Sequence, residues 1–220
     1  MSASTIAAAV AEMHAAMAAQ PPNAAMTAFA REQAELAAAG QPPGVAPLGT
    51  QLEDAELLDM DGAPTTLYAA TGTGASVVVF YRGAWCPYCN LTLSTYQQHL
   101  LPQLAGRGTP LVAISPQTPD GSLSMQQKHE LAFTVLSDPG NTIAHSLGIV
   151  TQPSEQVRAA QLQLSLDLST VNADGTIGLP MPTVVVLDAE HAIRWIDVHL
   201  NYSTRTEPDQ ILDAIEQLSL

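Results

Sequence analysis

The spacing of apolar residues changes along the chain, and near the N-terminus it is helical. Apolar side chains recur with the period of a helix at Ile6, Val10, Met13 and Met17. This pattern predicts an amphipathic helix, which we expect Pro21-Pro22 to end. A second Ala-rich helix is predicted over residues 23–39, closed by Gly40 and the cluster Pro42-Pro43-Gly44. Helices this apolar need a partner surface, so we expect them to pack on the core or on a second subunit.

Further along, the apolar residues form short continuous runs instead. Runs rich in β-branched side chains predict strands that are buried on both faces of a sheet. Four such strands are predicted, over residues 76–81, 111–114, 183–187 and 192–199. A shorter strand is predicted at residues 133–136, and a strand–turn–strand unit is predicted with strands at 57–58 and 66–68.

Helical spacing returns between these runs. A helix is predicted directly after the first buried strand, with a kink at Pro102, from the spacing of Leu93, Tyr96, Leu100 and Leu104. Further helices are predicted over residues 122–129, 141–147, 155–164 and 208–218. We expect the last one to begin at Pro208 and to be capped by Thr206.

Strands that alternate with helices and end in a hairpin and a helix predict an α/β fold with a mixed sheet flanked by helices. We assign residues 1–50 to an N-terminal helical extension and residues 51–220 to one domain. Residues 151–181 are polar and rich in Gln, and beyond the helix at 155–164 they give no clear pattern.

The charge of the chain narrows the classes of partner. Seven basic and 21 acidic residues give a net charge of −14. Such a chain repels phosphate backbones and anionic bilayers, so we expect neither nucleic acid nor membrane as a partner. No apolar run approaches the roughly 20 residues that span a bilayer. The first basic residue is Arg31, so no secretory or transit signal is expected and a cytoplasmic location is predicted.

The candidate chemistry is the pair Cys86 and Cys89, the two cysteines of the chain. A reducing compartment makes a structural disulfide improbable, which leaves a reactive dithiol or half of a metal site. Pro87 suits the first position of a helix, so we expect Cys86 at the helix N-terminus, where amide groups and the helix dipole favour a thiolate. Cys89 falls one turn later and is expected to stay a buried thiol that resolves bonds made by Cys86. Arg82 is near enough in sequence to support the thiolate.

Three other interpretations of the pair stay open. A zinc site would need two more ligands, and the chain has no second CxxC and no closely spaced histidine pair. A soft dithiol could instead bind Cu(I). The pair could also be inert. His99, on the helix that follows, is expected to lie on the surface.

Three stretches of the sequence resemble the peroxiredoxin-like (AhpC/TSA) family of the thioredoxin superfamily. They are the segments 80–89, 113–117 and 133–138, which begin with Phe80-Tyr81-Arg82, Ala113-Ile114-Ser115 and Phe133-Thr134-Val135. The resemblance spans roughly residues 50–218 and implies a thioredoxin-like sheet. It also implies that Cys86 attacks a peroxide or disulfide and that Cys89 resolves the product. The tetrad Cys86-Pro87-Tyr88-Cys89 is also similar to the glutaredoxin active site, so Trp85, Pro87 and Tyr88 are candidate supporting residues.

The same resemblance draws attention to Met181-Pro182-Thr183, just before a buried strand. A proline there can simply start the strand. In thioredoxin-like folds, however, a Pro-Thr step at this place is cis and faces the dithiol. We therefore expect a cis bond before Pro182, with Pro182 and Thr183 beside the cysteines.

Two departures from the family pattern guide the prediction of function. Typical peroxiredoxins carry Thr or Ser three residues before the attacking cysteine, where this chain has Gly83, and an Arg where strand alignment places Pro182. Without these donors the transition state of peroxide reduction is less stabilised. We therefore predict a thiol–disulfide oxidoreductase with at most slow hydroperoxide reduction. The alternatives are a genuine antioxidant thiol peroxidase and a Cu/Zn-binding module.

The resemblance also guides the expected partners. We expect a hydroperoxide or disulfide substrate and a thioredoxin-type or low-molecular-weight thiol as reductant. A homodimer is predicted, and no cofactor is expected beyond the redox-active Cys86–Cys89 disulfide.

Overall fold

The computed structural model describes residues 5–19, 21, 23–40 and 44–218, apart from the side chains of residues 122–125 and 128. The prolines expected to end the first two helices, Pro22, Pro42 and Pro43, lie outside the described residues. Among the described residues, no helix is both long enough and apolar enough to cross a membrane.

The described residues form nine strands. They are β1 Glu56–Leu58, β2 Pro64–Thr66, β3 Ser76–Phe80, β4 Leu111–Ser115, β5 Thr134–Ser137, β6 Val150–Thr151, β7 Leu179–Pro180, β8 Thr183–Leu187 and β9 Ile193–Val198. Seven of them form one mixed sheet in the order β2-β1-β5-β4-β3-β8-β9, and β6 pairs with β7 separately. Strands β3, β4 and β5 are parallel, and β8 runs antiparallel to both β3 and β9.

Helices cover both faces of this sheet. They are α1 Ile6–Ala18, α2 Ala24–Ala39, α3 Leu67–Thr71, α4 Pro87–Thr95, α5 Leu101–Ala105, α6 Pro119–His129, α7 Thr142–Ser146, α8 Glu155–Gln163, α9 Leu168–Val171 and α10 Pro208–Gln217. Every residue of β3, β4 and β8 is buried, as expected for strands sandwiched between helical layers. The predicted α/β fold class is confirmed.

The helix after β3 loses its regular α-helical hydrogen bonding near the predicted kink. A π-helical turn, Tyr96–Leu100, joins α4 to α5, and Pro102 follows it in the first turn of α5. Proline lacks an amide hydrogen, so the regular hydrogen-bond ladder cannot continue through it. The apolar residues that predicted this helix, Leu93, Tyr96, Leu100 and Leu104, are all fully buried.

Two local predictions were wrong. Leu67 and Tyr68 belong to α3 rather than to a strand, because the hydroxyl of Thr66 accepts a hydrogen bond from the Ala69 amide and starts the helix. The cap of α10 is Glu207 and not Thr206. The Glu207 and Gln210 side chains form a reciprocal capping box, whereas the Thr206 hydroxyl donates to Asp197.

The N-terminal helices pack on the chain's own body. Ile6 and Val10 of α1 belong to the same buried cluster as the dithiol. The Glu207 carboxylate, besides capping α10, accepts hydrogen bonds from the amides of Ile6 and Ala7 at 2.9 and 2.8 Å. Helix α2 packs against α8, where Glu32 accepts a hydrogen bond from the Ser154 amide. Both helices therefore lie against the rest of the chain rather than apart from it.

Candidate functional site

The two cysteines lie where the chain passes from β3 into α4. Cys86 is the N-cap of α4 and Pro87 its first residue, as predicted. The Cys86 amide donates to the Gly83 carbonyl, and the Cys89 amide donates to the Cys86 carbonyl, both at 3.1 Å. Both cysteines are free thiols, and only 2% and 1% of their surfaces are exposed. The turn therefore holds a reduced dithiol just below the protein surface.

The two thiols of the reduced pair differ in the direction in which their surroundings shift the pKa. Burial, together with a hydrogen bond to Cys89, raises the pKa of the Cys86 thiol. Burial also acts to raise the pKa of Cys89, but the hydrogen bond from Cys86 and the charge of Arg205 lower it to about 5. These interactions favour negative charge on Cys89 in the reduced pair, whereas the sequence led us to expect it on Cys86; the attacking role of Cys86 stays a prediction. The reason is that Cys86 receives no helix amide at its side chain, whereas Cys89 is close to a guanidinium.

Arg205 supplies that guanidinium, and no local pattern in the sequence points to it. Its Nη2 donates to the Cys89 Sγ atom at 3.5 Å, and its Nη1 donates to the carbonyls of Tyr202 and Thr204. The residue lies in the loop after β9, 116 residues from Cys89. Only the scarcity of basic residues in the chain, seven in 220, marks each arginine as worth attention.

Arg82 is a second guanidinium beside the dithiol, and its charge lowers the pKa of Cys86 against the effect of burial. The residue is 7% exposed. Its Cζ lies 5.2 Å from the centre of the Trp85 ring and 4.4 Å from that of the Tyr202 ring. Trp85 thus helps to hold Arg82 in place, in keeping with the supporting role expected for both.

Among the described residues, neither guanidinium forms an ion pair. Three other arginines pair with carboxylates, in the bridges Arg31–Glu35, Arg107–Glu216 and Arg194–Asp188. Within the described part of the chain, no carboxylate lies within 4 Å of Arg82 or Arg205. In a chain of net charge −14, the dithiol is therefore flanked by two positive charges that form no ion pair with a described carboxylate.

Gly83 cannot carry a side chain in this fold. Its φ angle is +146°, and an added Cβ would lie 2.5 Å from the Trp85 Nε1 atom. The backbone beside it is fixed by Gln117, whose Oε1 accepts from the Ala84 amide at 2.7 Å and whose Nε2 donates to the Tyr81 hydroxyl at 2.9 Å. The position at which typical peroxiredoxins carry a hydroxyl is therefore closed here by the Trp85 indole. Gln117 lay within a segment that carried the family resemblance, but its role was not foreseen.

Pro182 lies beside the dithiol, but its peptide bond is trans. No cis peptide bond occurs among the described residues, so the predicted cis bond is wrong. The backbone is extended on both sides, since the Met181 amide donates to the Ile149 carbonyl and the Pro182 carbonyl accepts from the His199 amide. The trans form, which X–Pro bonds ordinarily prefer, satisfies both contacts.

Pro182 and Thr183 do meet the dithiol on one side, as expected. With Cys89, Arg205 and His199 they line a small cavity of about 10 Å³, about the space of one water molecule. His199 Nε2 lies 3.0 Å from Asp197 Oδ2, and this hydrogen bond lowers the pKa of Asp197. A polar wall thus faces Cys89 from β9 and the loop after it.

Helix α1 also reaches the site, which the sequence did not indicate. The Tyr88 hydroxyl lies 2.9 Å from His14 Nε2, and the two rings meet edge to face with their centres 5.6 Å apart. Tyr88 also lies near Tyr202, at 6.1 Å between ring centres. Tyr88 therefore links the dithiol turn to α1 and to the loop after β9. His99, by contrast, is exposed, as expected.

The described residues contain no group of three or more His, Cys, Asp or Glu side chains that could hold a metal ion. Within that part of the chain, the dithiol therefore offers only two ligands of its own. Structural zinc sites use four protein ligands.

Comparison with known proteins agrees with this architecture. The sequence profile of the AhpC/TSA family matches residues 48–196. No curated protein sequence matches the chain significantly.

Several solved structures share the fold at low sequence identity. Peroxidoxin BcpB from Mycobacterium tuberculosis is 18% identical with a TM-score of 0.59, over 78% of this chain and 97% of its own. A peroxiredoxin-like protein from Aquifex aeolicus is 12% identical with a TM-score of 0.62, over 80% and 90%. AhpC of Enterococcus faecalis is 13% identical with a TM-score of 0.60, over 78% and 92%.

Proposed function

The chain belongs to the AhpC/TSA family, and from this membership and the geometry of its dithiol we propose that it is a thiol–disulfide oxidoreductase. Cys86 and Cys89 cycle between dithiol and disulfide, and no other cofactor is needed. The observation that carries the proposal is the hydrogen-bonded pair of free thiols at a helix start, flanked by two arginines that form no ion pair with a described carboxylate.

Cys86 attacks and Cys89 first serves as the base. The two sulfurs share one proton, and Cys89 takes it as the Cys86 sulfur attacks the substrate disulfide. One substrate thiolate leaves, and Cys86 is joined to the other half in a mixed disulfide. The departing thiolate takes the proton from Cys89, whose sulfur then attacks the Cys86 sulfur and releases the second half of the substrate as a thiolate. The substrate gains two electrons from the dithiol, one proton from the sulfur pair and one proton from solvent, and the protein keeps the Cys86–Cys89 disulfide.

The steric block at Gly83 favours thiol–disulfide exchange over peroxide reduction. Disulfide exchange needs a thiolate and a good leaving thiol, whereas fast peroxide reduction also needs donors that stabilise the charge on the departing oxygen. No hydroxyl can be accommodated at Gly83, and Pro182 carries no guanidinium. Hydroperoxide turnover through a Cys86 sulfenic acid, which Cys89 converts to the disulfide with loss of water, is therefore expected to be slow.

Arg205 favours the alternative of a genuine antioxidant thiol peroxidase. A guanidinium 3.5 Å from a dithiol sulfur could polarise a bound peroxide, although it comes from a different part of the fold than the family arginine. A Cu- or Zn-binding module is a third function, and the two sulfurs would have to find their remaining ligands outside the described residues.

The remaining proposals follow from the chemistry of a recycled dithiol. A thioredoxin-type protein or a low-molecular-weight thiol would reduce the disulfide again, by the same exchange in reverse. Two free cysteines are consistent with a cytoplasmic location, where such reductants keep thiols reduced. A homodimer is also proposed, and size-exclusion chromatography with light scattering tests it.

Stopped-flow oxidation of the reduced protein tests the proposed function. Tryptophan fluorescence is followed while hydrogen peroxide, an alkyl hydroperoxide and small disulfides are added in parallel, and Cys86→Ser/Cys89→Ser is the negative control. We expect second-order rate constants that are larger for disulfides than for peroxides. Peroxide rates above the disulfide rates would establish the peroxidase instead, and copper or zinc retained at one equivalent would favour the metal module.

A further inference from the structure

The sulfur of Cys89 accepts hydrogen bonds from three sides. The Arg205 Nη2 atom donates to it at 3.5 Å, and the Cys86 thiol and the Arg82 backbone amide are its other donors. The Cys86 thiol has Cys89 as its hydrogen-bond partner and caps no amide of α4. The two sulfurs that would form the disulfide therefore have different surroundings.

These donors favour a thiolate over a disulfide sulfur at Cys89. A charged sulfur is a strong acceptor for a guanidinium and an amide, whereas a disulfide sulfur is neutral and accepts weakly. Burial acts against a charge on Cys89, yet the hydrogen bond from Cys86 and the charge of Arg205 lower the pKa of its thiol to about 5. Arg205 thus interacts more strongly with the reduced dithiol than with the disulfide.

Arg205 is held in place by the loop that carries it. Its Nη1 donates to the carbonyls of Tyr202 and Thr204, and it forms no ion pair with a described residue. A guanidinium oriented in this way needs no reordering when the thiolate forms. Its charge therefore contributes fully to the free-energy difference between the two redox states.

Other titratable groups also face Cys89. Besides Cys86 and Arg82 of the dithiol turn, the cavity beside Cys89 is lined by Tyr81, Tyr96, His199 and Arg205. Burial raises the pKa of Tyr96, so this phenol is uncharged near neutral pH. His199 is hydrogen-bonded to Asp197 and Thr204. Because histidine can change its charge near neutral pH, His199 needs a control variant of its own.

We propose that Arg205, by holding the Cys89 sulfur as a thiolate, makes the Cys86–Cys89 disulfide easy to reduce, so that a low-molecular-weight monothiol of the glutathione class regenerates the protein. The inference rests on the proposed thiol–disulfide oxidoreductase function and names its reductant class. Stabilising the reduced form of a dithiol raises its reduction potential. The same shift limits the substrates to disulfides that are themselves easily reduced, such as strained or exposed ones. Arg205 acts through Cys89 and is therefore a positioning residue.

Reduction proceeds in two exchanges. The thiolate of one monothiol attacks the Cys86 sulfur, the S–S bond breaks, and Cys89 leaves as the thiolate that Arg205 holds. The thiolate of a second monothiol attacks the outer sulfur of the mixed disulfide and releases the Cys86 sulfur, which takes up a proton. The protein gains two electrons and one proton, and the other proton of the two monothiols goes to solvent. The monothiols leave as one disulfide.

The equilibrium with glutathione tests this proposal, because one proton goes to solvent. In this equilibrium, the protein disulfide and two glutathione molecules give the reduced protein and glutathione disulfide. Acid quenching, alkylation and mass spectrometry of the intact protein measure the oxidised fraction. For the wild type we expect the equilibrium constant to rise about tenfold per pH unit between about pH 6 and 8, since the reduced pair holds one proton there. A pair that holds both protons would give a constant that does not change with pH.

Variants separate the charge of Arg205 from a structural effect. Arg205→Gln should lower the constant about tenfold or more at pH 7, which is about 30 mV or more in reduction potential. The difference should shrink to about twofold or less at pH 5, where the pair becomes protonated in both proteins. Loss of packing would instead change the constant by one factor at every pH. Arg205→Lys should keep part of the effect, and Arg194→Gln, which makes the same charge change at a residue paired with Asp188, should match the wild type.

The rate of reduction tests the reductant class. A thiol of low pKa is the better leaving group, so excess glutathione should reduce the oxidised wild type several-fold faster than oxidised Arg205→Gln. Tryptophan fluorescence in a stopped-flow instrument follows the reaction. If glutathione leaves the wild-type disulfide intact while the dithiol dithiothreitol reduces it, the monothiol assignment is overturned.

The outcomes distinguish failure of this inference from failure of the proposed function. A disulfide that forms with a constant independent of pH, or unchanged in Arg205→Gln, overturns the role of Arg205 and leaves the proposed function standing. Loss of the pH dependence in His199→Asn would assign the proton to the imidazole and overturn it as well. If the expected constants are found but no disulfide or peroxide is turned over, the role of Arg205 stands and the proposed function fails. If no Cys86–Cys89 disulfide forms at any glutathione ratio, both fail.

Discussion

The Arg205 guanidinium donates a hydrogen bond to the Cys89 Sγ atom at 3.5 Å across 116 residues of sequence. The hydrogen bond from Cys86 and the charge of this guanidinium together lower the pKa of Cys89, against the effect of burial. Arg205 also donates to two loop carbonyls, which fix its side chain in place. The loop after β9 therefore contributes, with Cys86 itself, to the ionisation of a residue in the first turn of α4.

Removing this guanidinium should make the dithiol less acidic. In Arg205→Gln we expect the first apparent pKa of the reduced pair to rise by about one unit or more, because an opposite charge within about 4–6 Å typically shifts a pKa by that much. Ultraviolet absorbance of the thiolate during a pH titration measures it. Arg194→Gln, at a half-exposed residue paired with Asp188, is the control and should leave the titration unchanged.

Gly83 should tolerate no side chain. An added Cβ would lie 2.5 Å from the Trp85 indole nitrogen, at a φ of +146° that only glycine adopts readily. Gly83→Ala should lose about 1–3 kcal/mol of unfolding free energy in urea denaturation. Gly74→Ala is the matched control, since a Cβ there would meet nothing within 4 Å. Equal stability of the two variants would contradict the steric argument. For the same reason Gly83→Thr cannot be used to add a peroxidase hydroxyl.

The N-terminal extension should contribute directly to stability. Ile6 is 1% exposed in the core cluster that includes the dithiol, whereas Met17 on the same helix is 38% exposed. Ile6→Ala should cost about 2–5 kcal/mol and Met17→Ala less than about 0.5 kcal/mol. Urea unfolding of both variants measures the difference. If the two variants have the same free energy of unfolding, α1 does not contribute to stability through Ile6.

The buried carboxyl of Asp138 should make the protein less stable as pH rises from about 4 to about 6. Burial raises its pKa to about 6, although the amides of Thr142, Ile143 and Ala144 donate to it. The folded state therefore binds a proton more tightly than the unfolded chain. The resulting stabilisation is full below the unfolded pKa near 4 and is lost as pH rises through about 6.

Asp138→Asn removes this titration. The free energy of unfolding of the wild type should therefore fall relative to that of Asp138→Asn as pH rises from about 4 to about 7. Urea unfolding at several pH values measures it, and the slope of this difference matters rather than its absolute size. Asp209→Asn, at an exposed position in the first turn of α10, serves as the control. A difference that does not change with pH would show that Asp138 is already ionised across this range.

The sequence could predict those features that depend only on residues close together in the chain. The all-apolar run of β8 forms a strand buried on both faces, and Pro87 places Cys86 at a helix start, because both depend on neighbouring residues. Contacts such as Arg205 to Cys89 or His14 to Tyr88 depend on how distant segments pack, which spacing does not encode. The trans bond at Pro182 likewise follows from the carbonyl and amide partners that the sheet supplies.

The roles of the two cysteines can be separated by trapping the covalent intermediate. Cys86 is the attacking residue in our proposal, and Cys89 holds the charge, accepts the proton and then resolves. Cys89→Ser should therefore accumulate a stable mixed disulfide with a small disulfide substrate, because no second thiol can displace it. Its formation should be slower than the first step of the wild type, since the base is lost. Mass spectrometry of the intact protein measures the adduct.

Cys86→Ser is the decisive counterpart, because it retains the more acidic sulfur beside Arg205. A low pKa alone would make Cys89 reactive, and Cys86→Ser would then form the adduct as fast as Cys89→Ser. We expect the opposite, because Cys86 is the N-cap of α4, whereas Cys89 lies inside the first turn and lines the cavity of about 10 Å³. A thiolate with no access to substrate stays unreactive however acidic it is. Faster adduct formation in Cys86→Ser than in Cys89→Ser would exchange the two roles and make the Arg205-bound sulfur the nucleophile.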